Sequence, residues 1–250
     1  MHANLQTQPP PQTPPRVTGP GSPVHYTRPQ LEAFMPHPGN LKRAAIWAGY
    51  MAALDSREGR ALMHNGGITT DARHFVHFMA QFAHECGGAT INDENLNYSA
   101  AGALRTFGSR YFKDVDHAAR YTCDPEKFAN YVYADSPRRL NKLGNAQRGD
   151  GYRFRGRGPL QSTGRWAYEE LSRASGVDLV SNPDAMYDPL IGLECAIAFW
   201  NSRNLNTHAK QNRIGRITRL INGGFNGMES RRGWYKKAHA IWGGWPLADH

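Results

Sequence analysis

The chain of 250 residues is poor in cysteine: only Cys86, Cys123 and Cys195 are present, far apart and without a CxxC pair. This excludes a disulfide framework and a cysteine-rich zinc site, and leaves free thiols in a reducing compartment as the plain reading. No apolar run approaches the roughly 20 residues that span a bilayer, and the mean hydropathy is -0.64. The opening segment MHANLQTQPPPQTPPRVTGPGSP lacks the basic region, apolar stretch and small-residue cleavage site of a secretory signal. Acid is also scarce. Twenty-one Asp and Glu against thirty Lys and Arg give a net charge of +9, which draws the protein toward polyanions: nucleic acid, anionic lipid or the bacterial wall.

The length suffices to bury a core without metal or disulfide support. Ten of the sixteen prolines fall between Pro9 and Pro38, and this composition predicts a flexible Pro-rich arm over residues 1–38 and a single domain over 39–250. From Leu41 the pattern turns helical, with Ile46, Tyr50, Ala53 and Leu54 on one face and an end expected near Gly59. The segment TTDARHFVHFMAQFAHECGG reads as the clearest helix. Thr70 or Asp71 caps it, Phe75, Phe78, Met79 and Phe82 form its apolar stripe, and Gly87-Gly88 stop it. Short helices and loops are expected over residues 98–135, and a loop or small hairpin over 144–163. Further helices are expected from Arg165 to Ala174, from Pro189 to Asn201 behind Asp188, from Arg213 to Ile221, and over ESRRGWYKKAHAIWG. The fold class is mainly α, with at most a small β-hairpin.

Glu85 stands out among the acids. It lies on or beside the buried stripe, in the last turn of its helix, where burial and the negative end of the macrodipole both favour a protonated carboxyl. The competing reading, a plain ion pair with an arginine, carries equal weight from position alone. A second acidic pair, Asp93-Glu94, follows across a short polar loop. Two carboxyl groups held apart, one protonated and one ionised, are the working parts of a glycosidase. The HExxH zinc motif fails because Cys86, Gly87 and Gly88 follow His84-Glu85. His74, His77 and His84 share a face and read as surface residues, so no metal and no cofactor is expected. Cys86 cannot form an ordinary dyad with His84, its near neighbour on the helix. RGDGYRFRGRGPLQSTGR mixes glycine, arginine and aromatics, which suits single-stranded nucleic acid, an oligosaccharide groove or a tight structural loop. Asn222 in INGGFNG reads as a helix cap.

Taken in order, FMAQFAHECGG, ENLNYSAAGALRTFGSRYF, GDGYRFRGRGPLQSTGR, the SNPD and ECAIAFW stretch and ITRLINGGFNG resemble the family 19 glycoside hydrolases. The likeness covers about residues 70–235 and is nearest to the single-domain endolysins of phages of Gram-negative bacteria. It implies a lysozyme-like bilobed helical fold with a cleft. It also implies hydrolysis of β-1,4 bonds between N-acetylated amino sugars with inversion, Glu85 as general acid and Glu94 as the base that activates water. The same likeness gives substrate binding to Gln161, Thr163 and Asn222, with Tyr98 and Arg155 as further candidates from the matching segments. Cys86 departs from the family's usual small hydroxyl residue, and Ser162 from its usual apolar one. An inverting pair should hold its carboxyls roughly 6.5 to 9.5 Å apart.

The endolysin-like spacing of the acids, the charge and the absence of a secretory signal favour peptidoglycan over chitin as partner. They point to a monomer made in the bacterial cytoplasm and acting in the periplasm or on the wall, with no specific nucleic acid. Arg231, Arg232, Lys236 and Lys237 with Trp234, Tyr235 and Trp242 offer weak contact with anionic wall or outer-membrane lipid, or simply form the last packed helix with a solvated basic face. The alternatives are a chitinase acting on chitin oligomers and a catalytically silent wall- or nucleic-acid-binding module.

Overall fold

A computed structural model describes residues 19–135 and 142–247. The first helix, α1 (Arg28–Phe34), falls inside the segment expected to be a flexible arm. Thr27 and Gln30 form a reciprocal capping box, and a proline sits in the first turn, where its missing N–H costs nothing. Val24, Tyr26, Leu31, Phe34 and Met35 are all buried. The Tyr26 hydroxyl donates to Leu54 O at 2.7 Å, and the Trp47 indole donates to Met35 O at 2.7 Å. The domain therefore begins near residue 24 rather than 39. Proline density masked five large apolar residues, enough to fix the segment; residues 1–18 lie outside the described residues.

The single helix expected to end near Gly59 is two helices, α2 (Leu41–Asp55) and α3 (Arg57–Asn65). Ser56 takes an extended backbone between them. Its hydroxyl donates to Ala53 O at 2.8 Å and accepts from the Gly59 amide at 2.9 Å, so one side chain ends one helix and caps the next. Gly59 lies inside α3, and only glycine fits there, because a Cβ would come within 1.9 Å of Ala53 O.

The central helix, α4 (Ala72–Glu85), starts at Asp71, whose carboxylate accepts from the Arg73 amide at 2.8 Å. It is buried on nearly every side. His74 and His77, expected on the surface, are 5% and 0% exposed. The distant residues that cover them are the reason: His77 Nε2 meets Asn212 Oδ1 at 2.8 Å, and its ring packs on Tyr235. Burial pushes His77 down to about 4. After Glu85, Gly87, Gly88 and Ala89 all adopt positive φ, which turns the chain sharply off the helix end.

A second apolar core, built on Leu96, Phe112, Phe128 and Val132, belongs to a small lobe of α5 (Ala100–Phe107), α6 (Val115–Thr122), α7 (Pro125–Val132) and α8 (Asp150–Arg153). A third joins Phe154, Tyr168, Leu171, Met186 and Cys195 beneath α9 (Arg165–Ser175), the 3-10 turn Pro183–Tyr187 and α10 (Pro189–Ser202). Asp188 caps α10 as the sequence requires, accepting from Leu190 and Ile191 amides. The chain closes with α11 (Leu205–Lys210), α12 (Ile214–Asn222) and α13 (Met228–Trp242). The expected mainly α architecture is present. In place of the hairpin, isolated bridges join Asp93 to Arg157 and Arg157 to Ser162, and no strand occurs among the described residues.

Candidate active site

Glu85 is the last residue of α4, and the facing helix α13 supplies its partner. Arg231 Nη2 donates to Glu85 Oε1 at 2.5 Å, Nη1 to Gln81 Oε1 at 2.5 Å, and Nε to Asn226 O at 3.3 Å. Arg231, expected among the exposed basic residues of the last helix, is completely buried. The ion pair weighed from the sequence is therefore present. Glu85 Oε2 has no protein partner among the described residues, so one oxygen is held and the other is available to a ligand.

A signal for Arg231 was there to be read. With Tyr235, Ala238 and Trp242 it forms the buried face of α13 at helical spacing, and a charge on the apolar stripe of an amphipathic helix calls for a buried partner.

Glu94 lies where the first core gives way to the second. Its backbone N–H donates to Gly156 O at 3.0 Å, and its Oε1 accepts from the Gly156 N–H at 2.6 Å. Its Oε2 accepts from the Tyr133 hydroxyl at 2.6 Å. Burial raises the Glu94 carboxyl above its ordinary range, and the Tyr133 and Gly156 hydrogen bonds offset part of that rise. A cavity of about 320 Å³ opens beside it, with Lys42, Ile46, Thr90, Asn92, Asn95 and Asn97 among its lining residues.

Gly156 also brings Gln161 and Thr163 to this place. A Cβ on Gly156 would stand 3.1 Å from Thr163 Oγ1, 3.4 Å from Gln161 Oε1 and 3.4 Å from Glu94 Cβ. Gln161 holds a left-handed backbone, φ 50°, rare for a residue with a side chain. Its Nε2 donates to Gly158 O at 2.9 Å, while Thr163 Oγ1 donates to Gln161 O at 3.0 Å. Tyr98 lies near enough for the Glu94 charge to add to the rise that burial gives its phenol. Its ring stacks on Phe128 at 5.1 Å, which anchors it in the small lobe.

Arg155 is tied into the protein around the site. Nε donates to Asp93 Oδ1, Nη1 to Tyr152 O and Nη2 to the Tyr187 hydroxyl, so all three nitrogens are engaged inside the protein. One of these bonds holds Asp93 beside Glu94, and the second N–H on each Nη is not used by them. Asn222 is exposed at the end of α12, and its side chain makes no hydrogen bond among the described residues. The turn after it does reach the site: His84, the residue before Glu85, packs on Gly227 and meets Ser230 Oγ at 2.9 Å. Cys86 is buried, and burial pushes its thiol up to about 12, so it is no nucleophile at neutral pH. Among the described residues no cluster of three or more metal-ligating side chains occurs.

Sequence and fold comparisons identify the family. The family model described as Chitinase class I matches residues 42–216. A glycosyl hydrolase family 19 domain-containing protein of Haemophilus influenzae is 38% identical over 157 residues, 62% of this chain and 72% of that protein. Endochitinase 1 of Theobroma cacao is 28% identical over 197 residues, and the match covers 71% of this chain but only 53% of that enzyme. The chain thus spans about half the length of that plant relative. A bacterial family 19 chitinase of solved structure superposes with a TM-score of 0.55 at 18% identity, covering 89% of this chain and 97% of that one. A class IV chitinase from Zea mays gives 0.51 at 18% identity, covering 85% and 90%. With the family model covering most of the domain and the same helical fold beneath it, the chain belongs to glycoside hydrolase family 19.

Proposed function

We propose that this glycoside hydrolase cleaves β-1,4 bonds of bacterial peptidoglycan with inversion, Glu85 acting as general acid and Glu94 as general base. The observation that carries the reading is the seating of Glu94. Two short hydrogen bonds fix its carboxylate, Tyr133 on Oε2 and Gly156 on Oε1, and burial lifts its basicity above that of an exposed carboxylate. A base that takes a proton from water needs both properties. Glu85 protonates the leaving glycosidic oxygen, Glu94 removes a proton from the attacking water, and the water oxygen adds to the anomeric carbon from the opposite face. Arg231 then faces the carboxylate that proton transfer leaves on Glu85. Gln161, Thr163, Tyr98 and Asn222 bind the sugar chain.

The net charge of +9 and the nine-residue spacing of the acids, as in the endolysin-like branch, favour the anionic wall polymer over chitin. The same reading has the protein made in the bacterial cytoplasm and acting in the periplasm or on the cell wall after release. Chitin oligomers are the second reading, favoured by the plant relatives named endochitinases.

The test is clearing of outer-membrane-permeabilised Gram-negative cells by wild type and Glu85→Gln. Fragments are analysed by mass spectrometry, the first-formed anomer is read by proton NMR, and chitin oligomers are assayed in parallel. Clearing by wild type alone, with new reducing ends in the inverted anomer, is the expected result. Activity on chitin alone overturns the substrate, the retained anomer overturns the mechanism, and full activity of Glu85→Gln overturns the acid.

A further inference from the structure

We propose that the cleft between the start of α12 and the first turns of α13 is a binding site for a phosphate group. This cleft, of about 350 Å³, is lined by Gln211, Asn212, Arg213, Gly215, Arg216 and Arg232 with Ile214. Among the described residues it holds three guanidinium groups and no carboxylate. Arg213, Arg216 and Arg232 are all exposed, and none forms an ion pair among the described residues. The nearest acid in sequence, Glu229 on α13, is outside the lining and pairs with none of them. Three like charges facing one cavity repel one another unless an anion sits between them. Planar guanidinium donors are suited to phosphate oxygens.

Asn212 gives the cleft a built floor. Its Oδ1 accepts from the Tyr235 hydroxyl at 2.6 Å and from His77 Nε2 at 2.8 Å. His77 is completely buried, its Nδ1 has no partner among the described residues, and burial keeps the ring neutral with its pKa at about 4. With the oxygen held by two donors from the core, the Asn212 Nδ2 group has no partner among the described residues and is left for the cleft. The chain turns through Asn212 at φ 55°, a left-handed conformation that asparagine tolerates better than most residues. Arg213, the residue before α12, gives the helix no side-chain cap, so the first amides of the helix add to the guanidinium and amide donors rather than to an internal acceptor. Every polar group offered to the cavity by these side chains is a donor, or in Gln211 can be one.

The shared chemistry is a phosphate group, free or on a lipid headgroup, and the site is independent of the reaction proposed for Glu85 and Glu94. The test reads no turnover. The ¹⁵N-labelled full chain is titrated with inorganic phosphate against sodium chloride of equal ionic strength. It is also sedimented with phosphatidylcholine vesicles with or without phosphatidylglycerol. The variants are R213Q/R216Q/R232Q and a control that removes three charges from the small lobe, R105Q/K113Q/R120Q, both checked for folding by circular dichroism. Saturable phosphate shifts at the Asn212 side chain and the Ile214, Gly215 and Arg216 amides, lost in the cleft variant and kept in the control, are the expected result. A tenfold weaker hold on anionic vesicles in the cleft variant alone supports the site and assigns it to the lipid headgroup. Equal vesicle binding by both variants, with the phosphate shifts intact in the control, supports it and assigns it to free phosphate. Phosphate shifts that are absent, spread over the surface, or retained in the cleft variant overturn the proposal.

Discussion

Glu94 and Gly156 bind each other twice. The Glu94 amide donates to the Gly156 carbonyl, and the Gly156 amide donates to the Glu94 carboxylate. Backbone pairing and side-chain placement are thus one interaction, and Gly156 is small because Gln161 and Thr163 crowd the same point. Gly156→Ala is expected to lower kcat by about tenfold or more, since small misplacement of a reacting group is costly. Its urea midpoint should change little. An unchanged kcat in steady-state assays would show that Glu94 does not depend on this seat.

Tyr133 lowers the proton affinity that burial confers on Glu94. Tyr133→Phe removes the donor, so the Glu94 carboxyl rises further. Because a base works ionised, the acid limb of the kcat/KM profile should move to higher pH in the variant, with the plateau reduced less than the activity at pH 5. A limb that stays in place, or moves to lower pH, separates Glu94 from that ionisation.

Removing Arg231 leaves Glu85 and Gln81 facing a gap with no donor. Arg231→Ala should cost about 3–5 kcal/mol in urea unfolding, the range for one partner lost from a buried pair. Glu85→Gln keeps an oxygen at the same place and should cost less stability while lowering kcat by about 10²- to 10⁴-fold, the range for a general acid. Equal stability of Arg231→Ala and wild type would mean that α13 does not depend on this contact.

Burial holds the folded-state value of His77 at about 4, below its value of 6.5 when exposed. Between those values the unfolded chain binds more protons than the folded one, so stability falls as pH falls from about 6.5 toward 4. From pH 7 to pH 4.5 this one residue should remove about 2–3 kcal/mol. His77→Gln should be less stable at pH 7 and should show a correspondingly smaller loss over that interval. Parallel losses in the two proteins would place the acid sensitivity elsewhere.

What the sequence made legible depended on whether a residue's partners were near it in the chain. The Asp71 cap, the stripe of α4 and the Asp188–Pro189 start of α10 are set by neighbours a few positions away, and each stands where expected. Glu85 and Glu94 could be singled out because helix phase and a short loop set their positions. Arg231 could not be assigned to Glu85, because its partner lies 146 residues away. His77 looked like a surface residue for the same reason: Asn212, which meets it, is 135 residues distant. Composition misled at α1, where prolines outnumber the apolar side chains that anchor the segment.

That anchoring couples the front of the chain to its chemistry. Phe34 lies edge-on to Trp234 and Trp242 at 5.3 and 5.2 Å, so α1 braces the helix that carries Arg231 to Glu85. Trimming through Met35 by a protease would strip the brace from α13 without touching a single cleft residue, whereas a cut before Val24 would spare it. The stretch between those points thus supports the Arg231–Glu85 contact from outside the cleft.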